Sequence, residues 1–214
     1  MARVDVPRLR GWLHAGMFPV AIIAALSLVV IGQSTTARVA SAIFGGTGCL
    51  LFGISALYHR IEWSASTKAL LRRFDHANIF LIIAGSYTPF ALLLLPEQSG
   101  RRLLWVIWVG AISGVLFRMV WLSAPRWIYT PIYLGLGWAA IFFLPAFYRS
   151  AGPLILALIM LGGVLYSIGA IIYATKRPNI SETWFGFHEL FHAFTIAAFL
   201  AHYAAAVLTV VRAR

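Results

Sequence analysis

Seven stretches of this sequence are apolar for about twenty residues at a time, and nearly all the charged residues lie between them. By number they are 14–31, 39–58, 75–95, 103–122, 128–147, 153–173 and 184–210. A helix needs roughly 20 apolar residues to cross the hydrocarbon core of a bilayer, and inside that core a backbone must satisfy its own hydrogen bonds. The pattern therefore predicts an all-α, polytopic membrane protein of seven transmembrane helices, forming one domain over residues 1–214. Composition points the same way. The chain is 61% hydrophobic and 11% charged, whereas ordinary soluble chains are about 45–50% apolar and about a quarter charged. Too few residues remain for a folded domain outside the membrane, so the chemistry is expected within the bundle or at its rim. The single cysteine, Cys49, excludes an intrachain disulfide and a multi-thiolate metal site.

The connections are short and rich in Ser, Gly, Pro and charge, with Arg60–Arg73 the one long exception. The first run follows Arg3, Arg8 and Arg10 as a signal peptide would, but no clear cleavage site follows and more spans do. It is expected to be a retained helix. A net charge of +11 is spread over the connections rather than massed in one patch, which fits anchoring at anionic headgroups and not nucleic-acid binding. With the N-terminus cytoplasmic, the inner side carries Arg3, Arg8, Arg10, Arg60, Lys68, Arg72, Arg73, Arg126, Lys176 and Arg177. The outer side carries Arg38, Arg101, Arg102, Arg149, Arg212 and Arg214, and Arg118 lies inside span 4 near its inner end. This excess predicts a cytoplasmic N-terminus, an outside C-terminus and location in the cell (plasma or inner) membrane.

Ionisable side chains are costly within a span and mark function by default. His59 closes span 2, Asp75 opens span 3, and His188 and His192 lie in the first turns of span 7. With alternating helix directions all four fall at the cytoplasmic end. His188 and His192 are four apart, on one helical face. With His59 they supply three nitrogens and leave a fourth tetrahedral position for water, the arrangement of a catalytic zinc site. The ligand set also admits iron, manganese or nickel. Asp75 is placed to take a proton from the bound water or to ligate through it, and Ser55, one turn before His59, to hydrogen-bond within the site. Each has a plainer reading alone: Asp75 as a helix-start carboxylate, Ser55 bonded to its own helix, His59 as an interfacial side chain. Their joint depth on three helices favours the site. His76 faces away from Asp75, His14 is expected at the interface and His202 in the core. Glu189 is expected to turn off the histidine face towards a loop.

These residues sit in recognisable blocks. Ser55-Ala-Leu-Tyr-His59, Phe74-Asp75-His76-Ala-Asn-Ile79 and Ala84-Gly-Ser-Tyr-Thr-Pro89 resemble the first blocks of the hemolysin III family. Tyr166-Ser-Ile-Gly-Ala-Ile-Ile-Tyr173 with Lys-Arg-Pro178, then Phe187-His188-Glu-Leu-Phe-His192, then His202-Tyr203, resemble the later ones. Ser86 stands where the family pattern has Thr, and a hydroxyl is retained. The family is the bacterial branch of the progestin and adipoQ receptor superfamily. The resemblance implies seven helices with a cytoplasmic N-terminus, inverted relative to G-protein-coupled receptors. It also implies Zn2+ held by His59, His188 and His192, with Asp75 near the metal-bound water and Ser55 beside it. Members of the wider superfamily resemble alkaline ceramidases.

The function expected from these features is zinc-dependent hydrolysis of a lipid amide or ester at the cytoplasmic rim, with a membrane lipid as substrate. Asp75 and Ser55 are the catalytic candidates, and small residues such as Gly45, Gly46, Gly48 and Gly53 let helices approach or leave room for a chain. Two alternatives stand beside it: a membrane-damaging or pore-forming protein, and a lipid sensor or receptor with a structural zinc.

Overall fold

The computed structural model describes residues 7–213, so Arg3 and Arg214 of the charge tally lie outside it. The helices are α1 (Trp12–Ile31), α2 (Thr35–Arg60), α3 (Ala65–Leu94), α4 (Glu97–Val120), α5 (Arg126–Gly137), α6 (Leu144–Thr175) and α7 (Phe187–Arg212). A short 3-10 segment, Ala139–Phe143, joins α5 to α6. Among the described residues there is no strand, only an isolated bridge between Ser181 and Phe185. Six helical segments are long and apolar enough to cross a membrane, the fifth being the 50-residue run Arg126–Thr175.

Local chemistry sets the helix starts. The Ser34 side chain accepts from the Ala37 N–H at 3.1 Å and opens α2, and the Ser64 hydroxyl accepts from the Thr67 N–H at 3.3 Å and opens α3, each satisfying a donor that has no partner within its helix. The second cap corrects the expected long connection. Only Ile61–Ser64 separate α2 from α3, and Lys68, Arg72 and Arg73 ride on the first turns of α3. Hydropathy registers only the part of a helix that lies in hydrocarbon. At 30 residues and ~1.5 Å per residue, α3 is about 45 Å long, well beyond the ~30 Å core.

The expected span 128–147 is likewise modified. Its helix stops at Gly137, tightens to 3-10 geometry and resumes at Leu144. The expected turn at 148–152 is helical up to a single reversal at Gly152, whose φ of 76° and ψ of 176° only glycine adopts freely. Pro153, which has no N–H to leave unpaired, starts the return. The Arg212 side chain donates to the Ala151 carbonyl at 2.7 Å, tying this reversal to the end of α7.

Helix α3 is the axis of the bundle. It contacts α2, α4, α5, α6 and α7, and 72% of its most apolar stretch is buried, against 28% for α1 and α4. Outward-facing side chains are large and apolar, including Val30, Val106, Leu116, Val120, Phe142 and Leu154. Such a surface belongs in lipid. Gly45, Gly48 and Gly53 lie against Ala25, Phe199 and Phe18 with no room for a side chain, whereas Gly46 faces open space.

One end of the bundle gathers the start of α1, the end of α2, the start of α3, the end of α4, the start of α5, the end of α6 and the start of α7. Contacts across it make this plain. Arg10 pairs with Glu189, Arg73 donates to the Met119 carbonyl, and Arg126 donates to the Tyr173 carbonyl at 2.7 Å.

Candidate metal centre

At that end the last turn of α2 and the first two turns of α7 bring three imidazoles together. His59, His188 and His192 each offer a ring nitrogen, and these nitrogens all lie within 4.8 Å of one another. The Nε2 atoms of His59 and His188 are 3.2 Å apart. Two nitrogen lone pairs aimed at one point are tolerated only with a proton or a cation between them, so the donor set itself fits a metal ion. The four-residue spacing of His188 and His192 stacks them on one face of α7, with ring centroids 4.5 Å apart.

Asp75, on α3, places Oδ2 3.9 Å from Nε2 of His59 and is buried. Ser55, one turn before His59, is buried, and its Oγ lies beside the Asp75 carboxylate without closing a well-formed hydrogen bond to it. The five residues singled out from sequence thus share one neighbourhood: three as convergent nitrogen donors, and Asp75 and Ser55 beside them.

Three surrounding groups carry more than sequence indicated. His14, expected at the interface, is 2% exposed and stacks on His192 with ring planes 3° apart and centroids 3.7 Å apart. Its α1 helix starts at Trp12 and packs on α7, which carries the third residue of α1 inward. Parallel stacking keeps His14 from sharing an ion in the plane of His192, so it acts as a platform and not a ligand. Glu189, expected to face a loop, is 1% exposed. It accepts from the Gly186 N–H at 2.9 Å and pairs with Arg10, fixing the start of α7 against the chain that enters α1. Gly11 completes this cover with a φ of 80°, and a Cβ there would stand 2.6 Å from Cβ of His59.

His76 turns away from Asp75, as expected, and its Nδ1 takes a hydrogen bond from buried Arg118 at 2.5 Å. Arg118 also donates to the Trp121 and Leu122 carbonyls past the end of α4 and lies over the Tyr129 ring. His202 is the core histidine expected, its Nε2 3.1 Å from the Ile159 carbonyl. No sequence signal marked His14. Its inward orientation depends on where α1 begins.

A cavity of about 130 Å³ opens from the histidines into the bundle. His14, Ser55, Asp75, His188 and His192 line its histidine end, and Ile82, Ile83, Phe90, Ile141, Phe147 and Ile159 carry it deeper.

Fold and site together define a class: a multi-pass, all-helical protein of the cell membrane with a histidine triad able to hold a metal ion. Residues 3–203 match the family described as Haemolysin-III related. Hemolysin-3 homolog of Bacillus subtilis (strain 168) is 34% identical over 154 residues, 72% of this chain and 69% of the relative. Hemolysin-3 of Bacillus cereus is 31% identical over 185 residues, 85% and 81% of the two chains. Monocyte to macrophage differentiation factor of Homo sapiens is 24% identical over 199 residues, 90% and 79% of the two. The chain belongs to the haemolysin III family, within the progestin and adipoQ receptor superfamily.

Proposed function

We propose that this protein is a seven-pass, zinc-dependent hydrolase that cleaves a lipid amide or ester at the cytoplasmic end of its bundle. The observation that carries the reading is the placement of the three convergent histidines, with a buried carboxylate beside them, at one end of a mainly apolar cavity. Three histidines converge without Asp75 among them. Catalytic zinc sites use three protein ligands and keep a position open, whereas structural sites close with four.

His59, His188 and His192 hold the ion. When bound, zinc supplies a lowered water pKa, toward about 7, and polarises a carbonyl oxygen. Asp75 accepts the proton the attacking water loses and delivers it to the leaving nitrogen or oxygen as the carbonyl carbon–heteroatom bond breaks. Ser55 Oγ, buried beside the Asp75 carboxylate, hydrogen-bonds the substrate oxygen. The apolar walls receive the acyl chain and exclude bulk water.

The reading of seven passes rests on the alternation of helix ends and on Gly152, where the run Arg126–Thr175 turns back. The histidine end also carries Arg8, Arg10, Arg60, Lys68, Arg72, Arg73, Arg126, Lys176 and Arg177, an excess that supports a cytoplasmic side for it and for the N-terminus.

The test is metal analysis of the purified protein together with release of fatty acid from lipid amides and esters in vesicles. The expected result is one zinc per chain, lost in His192→Ala, and hydrolysis lost in Asp75→Ala with zinc retained. A wild-type protein without stoichiometric metal refutes the site. Full hydrolysis by Asp75→Ala refutes the proton acceptor.

A further inference from the structure

Buried polar atoms without partners are rare in folded proteins and call for an explanation. Among the described residues they are unevenly placed. His14 Nδ1 and Nε2, Ser55 Oγ, Thr130 Oγ1, Tyr166 Oη and His202 Nδ1 all belong to residues that line the cavity below the histidines. Only Ser41 Oγ and Arg118 Nε belong to residues outside its lining. Two groups emerge. His14, Ser55 and Thr130 lie at the metal end, where the ligand's reacting group would enter. Tyr166 and His202 lie deep in the bundle, beyond the apolar walls.

The deep pair is built as a site. His202 is 8% exposed. Its Nε2 lies 3.1 Å from the Ile159 carbonyl, and a carbonyl only accepts, so Nε2 carries the proton and Nδ1 is left as a bare acceptor. The ring is seated against Gly162, where a Cβ would come within 2.2 Å of it, and it faces Tyr166 with centroids 5.6 Å apart. Tyr166 contributes a hydroxyl that no protein group meets. One acceptor and one donor, both unmet by any protein group and both on the cavity wall, suit a group that gives one hydrogen bond and takes another.

We propose that Tyr166 and His202 form a second polar subsite that binds a hydroxyl group carried within the acyl chain of the ligand. The proposal rests on the cavity being a lipid site, as the proposed function requires. His202 follows His192 by ten residues on the same helix, so the two ends of the ligand are about 15 Å apart. In an extended fatty acid with its carboxyl group at the histidines, that depth falls at about the twelfth carbon. The ligand class is therefore a lipid with polar groups at both ends of a mid-chain apolar stretch, in contrast to a plain saturated chain.

The test measures binding of radiolabelled stearic acid, 12-hydroxystearic acid and 6-hydroxystearic acid to the zinc-loaded protein in nanodiscs. One hydrogen bond made to otherwise unmet groups is expected to favour the 12-hydroxy acid by about tenfold over stearic acid, and the 6-hydroxy acid to show no gain. Tyr166→Phe and His202→Leu should each reduce that preference while binding stearic acid at least as well as wild type. Tyr166→Phe removes a single oxygen and keeps the test sound if His202→Leu fails to fold. Equal binding of the three acids, a gain that is the same for both hydroxy acids, or a preference that survives Tyr166→Phe and His202→Leu overturns the subsite and leaves water as the occupant. Failure of stearic acid itself to bind overturns the lipid reading of the cavity as well.

Discussion

Replacing Gly11 with alanine tests whether the entry to α1 is part of the metal centre. The residue sits at φ 80° and directly backs a metal-ligand candidate. Left-handed backbone costs a residue with a Cβ about 1–2 kcal/mol. The new methyl would also lie 2.6 Å from Cβ of His59, roughly 1 Å short of the 3.5–4.0 Å at which carbon atoms meet without strain. Neither partner is the loose end of a long side chain, so the helix start or His59 must move by about that distance. Metal–ligand distances tolerate only about 0.2 Å. Disturbing the groups that orient a ligand lowers metal affinity by about 10–100-fold, or about 1.4–2.8 kcal/mol. Zinc affinity of Gly11→Ala, read by competition with a chromophoric chelator, should fall within that range. Gly46→Ala is the control: nothing lies within 4 Å of its new Cβ, and removing a mid-helix glycine should stabilise by roughly 0.5–1 kcal/mol without changing affinity. A Gly11→Ala protein with wild-type zinc affinity would show that the chain before α1 only passes over the site.

Three further outcomes follow from the same geometry. His14→Ala should weaken zinc binding about tenfold and alter the visible spectrum of the cobalt-substituted protein, whereas His14→Phe, which restores a flat ring against His192, should recover both. Loss in the two variants alike would contradict the stacking role. Glu189→Gln should lower the thermal midpoint, because buried Glu189 gives up its charge-assisted hydrogen bond to half-buried Arg10, at a cost of about 1.5–3 kcal/mol; an unchanged midpoint by scanning calorimetry rejects that contribution. Chelating the metal should lower the midpoint too, since zinc at a hundredfold above its Kd adds about 2.7 kcal/mol, and a midpoint indifferent to chelator argues against a metal in the folded protein.

The placement of polar residues by depth was the most legible part of the sequence. His59, Asp75, His188 and His192 were brought to one level by counting spans, because in a bundle of short connections the count fixes which helix ends are neighbours. Boundaries were less legible for a physical reason. Hydropathy cannot see the first ten residues of α3, which are helical but charged, nor divide helix from 3-10 geometry between Gly137 and Leu144. His14 was misplaced because its burial depends on the start of α1 and the packing of α1 on α7. Glu189 was read from its angle on α7, yet its role is set by Arg10, 179 residues away, a partner that no local pattern reveals.

That separation has a consequence for how the centre comes into being. The ring of His14 and the backbone of Gly11 enter with the first helix, His59 with the second, and His188 and His192 only with the last. A nascent chain stalled before α7 would carry one ligand and an open wall. A metal held by this triad would be captured only once the last helix is in place, and it would then act as a clasp between the segments made earliest and latest.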